Sequence, residues 1–149
     1  MRDRSPIQTV AMLVGAVFLL VGILGFIPGI TTNYDELKFA GHSSDAQLLG
    51  IFDVSILHNI VHLLFGVAGL ALARTYDGAR NYLIGGGVIY LALFLYGVIF
   101  GADEGGGNWI PVNWADNVLH LVLGAGMIVL GLLLARDVVR RDRTTAPAV

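Results

Sequence analysis

Four stretches of mainly apolar residues constrain this chain more than anything else in it. They run over about residues 9–27, 48–73, 82–101 and 112–135. Each is close to the roughly 20 residues that a helix needs to cross a bilayer. Charged residues make up 13% of the chain and hydrophobic residues 56%, whereas a soluble domain carries about 25% charged residues. With a mean hydropathy of +0.75, a chain of 149 residues cannot hide its apolar side chains in a core of its own. Lipid must act as solvent for the rest. The expected fold class is an all-α membrane protein, one four-transmembrane-helix bundle over residues 1–149, with residues 136–149 as a cytoplasmic tail.

The first helix has a readable start. Ser5-Pro6-Ile7-Gln8 combines a hydroxyl cap, proline at the first helical position and Gln at capping-box spacing. Pro28-Gly29 closes its far end. No small-residue cleavage site follows, so the segment reads as a retained span.

Orientation follows from Lys and Arg. Arg2 and Arg4 precede the first span, Arg74 and Arg80 lie in the second connection, and Arg136, Arg140, Arg141 and Arg143 lie in the tail. Only Lys38 falls in the first or third connection. The positive-inside rule then places both termini in the cytoplasm. The outer side carries Asp35, Glu36, Asp45, Asp103 and Glu104, with Tyr34, Trp109 and Trp114 near its boundary. The inner connection over 74–81 contains the turn pair Asp77-Gly78. The outer loop over 30–47 is long enough to fold over the outer mouth, and the loop over 102–110 holds Gly105-Gly106-Gly107, which predicts mobility.

Helices two and four carry the same pattern. Ser55-Ile-Leu-His58-Asn59-Ile-Val-His62-Leu63-Leu-Phe-Gly66 matches Asn113-Trp-Ala-Asp116-Asn117-Val-Leu-His120-Leu121-Val-Leu-Gly124 at an offset of 58 residues. Helices one and three share only glycine and apolar content. The recurrence predicts a duplicated helical hairpin. At about 100° per residue, Ser55, His58, His62, Gly66 and Gly69 fall in one sector, with Asn59 at its edge, and helix four repeats the arrangement. Such a stripe belongs in the bundle interior, because a charged group facing lipid near mid-bilayer costs roughly 2.5–3.5 kcal/mol. Gly15, Gly22, Gly25 and Gly29 give helix one a small seam for close packing. With the second span starting near residue 48, His58 and His62 lie about 15–21 Å below the outer end, and Asp116 and His120 about 6–12 Å.

Three imidazoles and a carboxylate allow several readings. His58, His62, Asp116 and His120 can ligate a divalent transition metal, two from each helix face, with Ser55, Asn59, Asn113 and Asn117 orienting them from behind. His62 and His120 alone can serve as axial ligands of a haem b in an electron-transfer component. The same groups can form a hydrogen-bond network that only holds helices in register, as in a structural or accessory subunit of a membrane complex. His42 reads as a loop residue. Asp53 projects away from the stripe. Gly85-Gly86-Gly87 reads as helix packing, not as a phosphate loop, and Tyr90 and Tyr96 as packing residues whose hydroxyls reach the interior network. The absence of cysteine excludes disulfides, thiolate metal sites and cysteine nucleophiles. No hydrolase, zincin or nucleotide motif is present, so the reading is non-enzymatic. The expected partners are the bilayer and a homo-oligomer or membrane complex; the basic tail anchors the last helix and implies no nucleic acid.

Gly22 to Gly29, Phe39-Ala-Gly41-His42, His58-Asn59 through His62-Leu63 and Gly66, and Asn113 through Asp116-Asn117 to His120 together resemble one bacterial family. It is the four-helix membrane family filed as domain of unknown function 4383, and the resemblance covers about residues 5–135. The family pattern favours Asn where this chain has Ser55. The resemblance implies a multi-pass protein of the bacterial inner (plasma) membrane, and it carries over no functional residue.

Overall fold

A computed structural model describes residues 4–41, 44–100 and 110–145, with side chains up to residue 135. His42, Asp103, Glu104, the glycines 105–107, Trp109 and the side chains of the tail arginines lie outside the described residues.

The chain order is α1 (Pro6–Leu24), β1 (Thr31–Thr32), a 3-10 turn (Tyr34–Glu36), β2 (Gln47–Leu48), β3 (Phe52–Asp53), α2 (Ile56–Leu72), α3 (Tyr76–Phe100) and α4 (Trp114–Thr145). Helix α1 packs chiefly on α2, and α3 on α4. The three short strands form one antiparallel sheet in the order β1-β2-β3, with Thr31 opposite Leu48 and Leu48 opposite Phe52.

The helices are apolar on the outside. Leu13, Leu20, Leu64, Val67, Val98 and Leu133 are all more than half exposed. The buried residues of α2 are Asn59, His62, Gly66 and Gly69. A water-soluble bundle buries its apolar face instead. Helices α1, α3 and the 114–135 part of α4 are long and apolar enough to cross a membrane. Helix α2 is apolar but shorter, at 17 residues or about 26 Å.

That short α2 corrects the sequence reading, which began the second span near residue 48. Residues 47–53 form a hairpin. Leu49 and Gly50 both adopt positive φ, 57° and 68°, which a helix cannot accommodate. Ile51 N returns a hydrogen bond to Leu48 O at 3.1 Å. The apolar run Leu48–Phe52 hides this turn, because hydropathy does not distinguish a strand from a helix. The inner connection is also shorter than expected. Asp77 and Gly78 belong to the first turn of α3, and Thr75 Oγ1 accepts from Gly78 N at 3.1 Å.

Glycines set how closely the helices pack. A Cβ at Gly15 would stand 3.0 Å from both Gly66 O and Leu70 N; one at Gly66 would stand 2.6 Å from Leu19 N. The second pair repeats these contacts. A Cβ at Gly87 would meet Gly124 O at 2.7 Å and Ile128 N at 3.1 Å, and one at Gly124 would meet Leu91 N at 2.9 Å. The side-chain amide of Asn59 sits against Gly25, and that of Asn117 against Gly97. Every α1 residue in these contacts has its α3 counterpart 72 residues on. Gly29 differs from the rest of the α1 seam, lying in a turn at φ +90° with nothing near it.

Gly66→Ala and Gly124→Ala should each destabilise the protein by about 1–3 kcal/mol, because the added methyl meets backbone that cannot rotate away. Gly85→Ala, where a Cβ meets nothing within 4 Å, should be neutral or stabilise by up to about 1 kcal/mol. Thermal unfolding in detergent gives the order directly.

Candidate functional site

The histidines stand at the start of α2, not in its middle. His58 and His62 are the third and seventh residues of that helix, and Asp116 and His120 hold the same places in α4. This phasing comes from the caps. Ser55 Oγ accepts from His58 N at 3.1 Å, and Asn113 Oδ1 accepts from Asp116 N at 3.0 Å. Both are N-caps at the spacing that satisfies an orphan first-turn N–H. The leading Ser and Asn of the repeated pattern therefore start their helices. The depth estimated for His58 and His62 shrinks to within about 10 Å of the helix start.

Asn59 and Asn117 are likewise placed by packing. The Asn59 amide is pressed against Gly25, which caps the end of α1, and the Asn117 amide against Gly97 of α3. Within the described residues, Asn59 Oδ1 and Nδ2 and Asn117 Oδ1 are buried without a hydrogen-bond partner. Neither Asn makes a hydrogen bond to an imidazole among the described residues, so the expected orienting role behind the rings is not seen there.

The imidazoles are gathered by aromatic rings. Phe18 stands edge-on to His62, with centroids 5.3 Å apart at 68°. Tyr90, the residue 72 positions after Phe18, stands edge-on to His120 at 5.3 Å and 76°. Phe18 and Tyr90 lie 5.2 Å apart at the centre of the bundle. His58 meets His62 at 4.3 Å. The hydroxyl of Tyr90 lies 3.4 Å from His62 Nε2, which fits the interior role expected for this tyrosine. Phe18 was invisible in the sequence, since nothing separates it from other apolar residues of α1. Tyr96 packs on Phe100 at 5.2 Å.

Asp116 is held by backbone donors. Its Oδ2 accepts from Asn113 N and from Asp53 N, both at 3.0 Å. The carboxylate thus closes a capping box on α4 and ties β3 to it. Asn113 Nδ2 adds a bond to Ile51 O at 2.7 Å. Asp53, placed by the sequence reading on the far side of a helix, lies in β3 and reaches the cluster through its backbone. Its side chain accepts from Gln47 Nε2 at 2.9 Å.

These positions bear on the cofactor readings. Among the described residues, no three His, Asp or Glu side chains are grouped so as to hold a metal ion. Of the expected set His58, His62, Asp116 and His120, Asp116 has its Oδ2 engaged by two backbone donors. Tyr90 contacts both His62 and His120, the pair expected as axial ligands.

Two cavities meet at the cluster. One, of about 150 Å³, lies between α2 and α3 beneath residues 110–112. Leu57, Val61 and Ile89, each at least 40% exposed, stand at its side. The other, of about 120 Å³, is lined by Val21 and Leu24 of α1, the hairpin residues Leu48 and Phe52, and Leu119 of α4. His58, His62, Tyr90, Asp116 and His120 line both. Within the described residues, Nδ1 of each of the three imidazoles is buried and lacks a hydrogen-bond partner.

Replacing Asp116 separates capping from ligation. Asp116→Asn keeps an acceptor oxygen and should stay within about 1 kcal/mol of the parent. Asp116→Leu strands two backbone donors and should cost roughly 2–4 kcal/mol. Chemical unfolding in detergent, followed by circular dichroism, measures both.

The family model described as domain of unknown function (DUF4383) matches residues 8–133. No curated protein matches the chain, and no solved structure does.

Proposed function

We propose that this chain, which belongs to the family of the domain of unknown function DUF4383, is a four-span membrane protein that binds a small amphipathic molecule from the lipid phase at its His58–His62–His120 cluster. The ligand class is a ring-sized head bearing a hydroxyl or carbonyl on an apolar tail, as in quinones and lipid-soluble phenols. The observation that carries this reading is the shared wall between the two cavities. The three imidazoles line both cavities, each has a buried Nδ1 without a partner among the described residues, and the larger cavity flanks the exposed α2–α3 side. A cavity of about 150 Å³ accommodates a benzene-sized group. Imidazoles would hold the polar edge of the head, and the tail would leave between Leu57, Val61 and Ile89 into lipid.

Several features support this setting. Helix α2 spans with its N-terminal end backed by the sheet, and irregular backbone is tolerated at membrane depth where protein buries it. Arg4, Arg74 and Arg80 sit at the opposite end from Asp35, Glu36 and Asp45, which favours the basic end inside. The matched contacts of Gly15 with Gly66 and Gly87 with Gly124 favour a duplicated hairpin, with Phe18 and Tyr90 as equivalent residues.

The test is titration of the purified full chain in nanodiscs with a decyl-tailed benzoquinone, read by quenching of protein fluorescence. Saturable binding is expected in the parent. His62→Leu and His120→Leu should weaken it about tenfold, the effect of losing one buried hydrogen bond to the ligand, and melting curves should show both variants folded. No saturable binding, or equal binding in folded variants, overturns the proposal and leaves the cluster as a packing network. Near-stoichiometric metal by elemental analysis, lost in a folded His62→Ala/His120→Ala variant, overturns it in favour of a metal centre.

A further inference from the structure

At the end of the bundle away from the histidines lies a cavity of about 630 Å³, within the range of ligand pockets. Arg4, Gln8, Arg74 and Thr75 give it polar walls, and Met12 and Leu70 an apolar side. The corner is built by one side chain. Gln8 Oε1 accepts from Ser5 N at 3.1 Å, while its Nε2 donates to Ala73 O at 3.1 Å and Arg74 O at 3.0 Å. The start of α1 is thereby fastened to the turn between α2 and α3. Two arginines come together on one cavity as a result. The ring of Tyr76 also lines it, and its hydroxyl donates to Ala135 O at 2.9 Å, which fixes that wall to α4.

The electrostatics of the corner favour an anion. Among the described residues the ion pair present is Lys38 with Glu36 at the other end, and no described carboxylate lies within 4.0 Å of Arg4 or Arg74. The carbonyls of Ala73 and Arg74, just past α2, would repel a negative group and instead accept from the Gln8 amide. The first turn of α3 begins beside the cavity at Tyr76 and carries Asp77, which offsets the positive end of its helix dipole, so the anion's attraction rests on the two arginines. Polar walls above an apolar side, at the end of an apolar bundle, match a headgroup with acyl chains attached. Basic pockets at the cytoplasmic ends of membrane helices take such headgroups.

We infer that this cavity binds the phosphate group of an anionic membrane phospholipid, held by Arg4 and Arg74. The site is independent of the histidine cluster and of its ligand.

Native mass spectrometry of the full chain, released from vesicles of mixed phosphatidylglycerol and phosphatidylcholine, tests it. The parent should retain phosphatidylglycerol in preference to phosphatidylcholine. Arg4→Gln/Arg74→Gln should lower that retention about tenfold or more, in line with two basic contacts. Arg80→Gln, an exposed arginine that does not line the cavity, should leave it unchanged, and melting curves should show all variants folded. Equal retention of the two lipids, or an equal loss in Arg80→Gln, overturns the inference. Displacement of the retained lipid by inorganic phosphate would make free phosphate the ligand and overturn the lipid assignment.

Discussion

Close backbone contact within two helix pairs is the interaction on which the rest of this structure depends. Lipid tails are as apolar as leucine, so burial of leucine does not drive helices together in a bilayer. Dispersion between surfaces that fit must do so, and it decays steeply with a gap. Glycine removes the side chain that would create the gap. Gly15 with Gly66, and Gly87 with Gly124, bring main chains into contact along α1–α2 and α3–α4. The two pairs then leave space between them, and the cavities open there, between α2 and α3 and beside α1 and α4.

The polar groups are arranged around this packing. Ser55 and Asn113 start α2 and α4 at equivalent points, which sets His62 and His120 level with each other. Asn59 and Asn117 fit glycine notches in the neighbouring helix. Asp116 closes a cap and secures the small sheet. The imidazole trio and the Tyr90 hydroxyl take no part in these caps and notches. The pattern shared by α2 and α4 is therefore mostly architectural, with its histidines as the residue of chemistry left over.

Much of the architecture was legible. Apolar length located α1 to within a few residues, but α3 begins at Tyr76, earlier than the expected 82, and α4 runs on to Thr145, through most of the stretch expected as a tail, because polar residues can continue a helix beyond its apolar span. The Ser5 cap was readable because its spacing is local. The stripe on α2 was correctly assigned to the interior. The hairpin at residues 47–53 was not legible, because Leu48 to Phe52 is apolar in either conformation and positive φ at Leu49 has no signature in composition. The match between α1 and α3 escaped for a related reason. What the two helices share is a contact geometry, in which Gly15 and Gly87, or Phe18 and Tyr90, are recognisable only once their partners are known.

The sequence by itself determined that this chain has an apolar exterior, how many helices it forms, and which face of α2 turns inward. Those properties depend on periodicity and transfer free energy, which act residue by residue. The tertiary structure alone decided what each polar side chain does. Hydrogen-bond capacity is fixed by residue type, but its use depends on the nearest donor. Asp116 was free in sequence to face a histidine or a metal, and the backbone N–H groups of Asn113 and Asp53 reach it first.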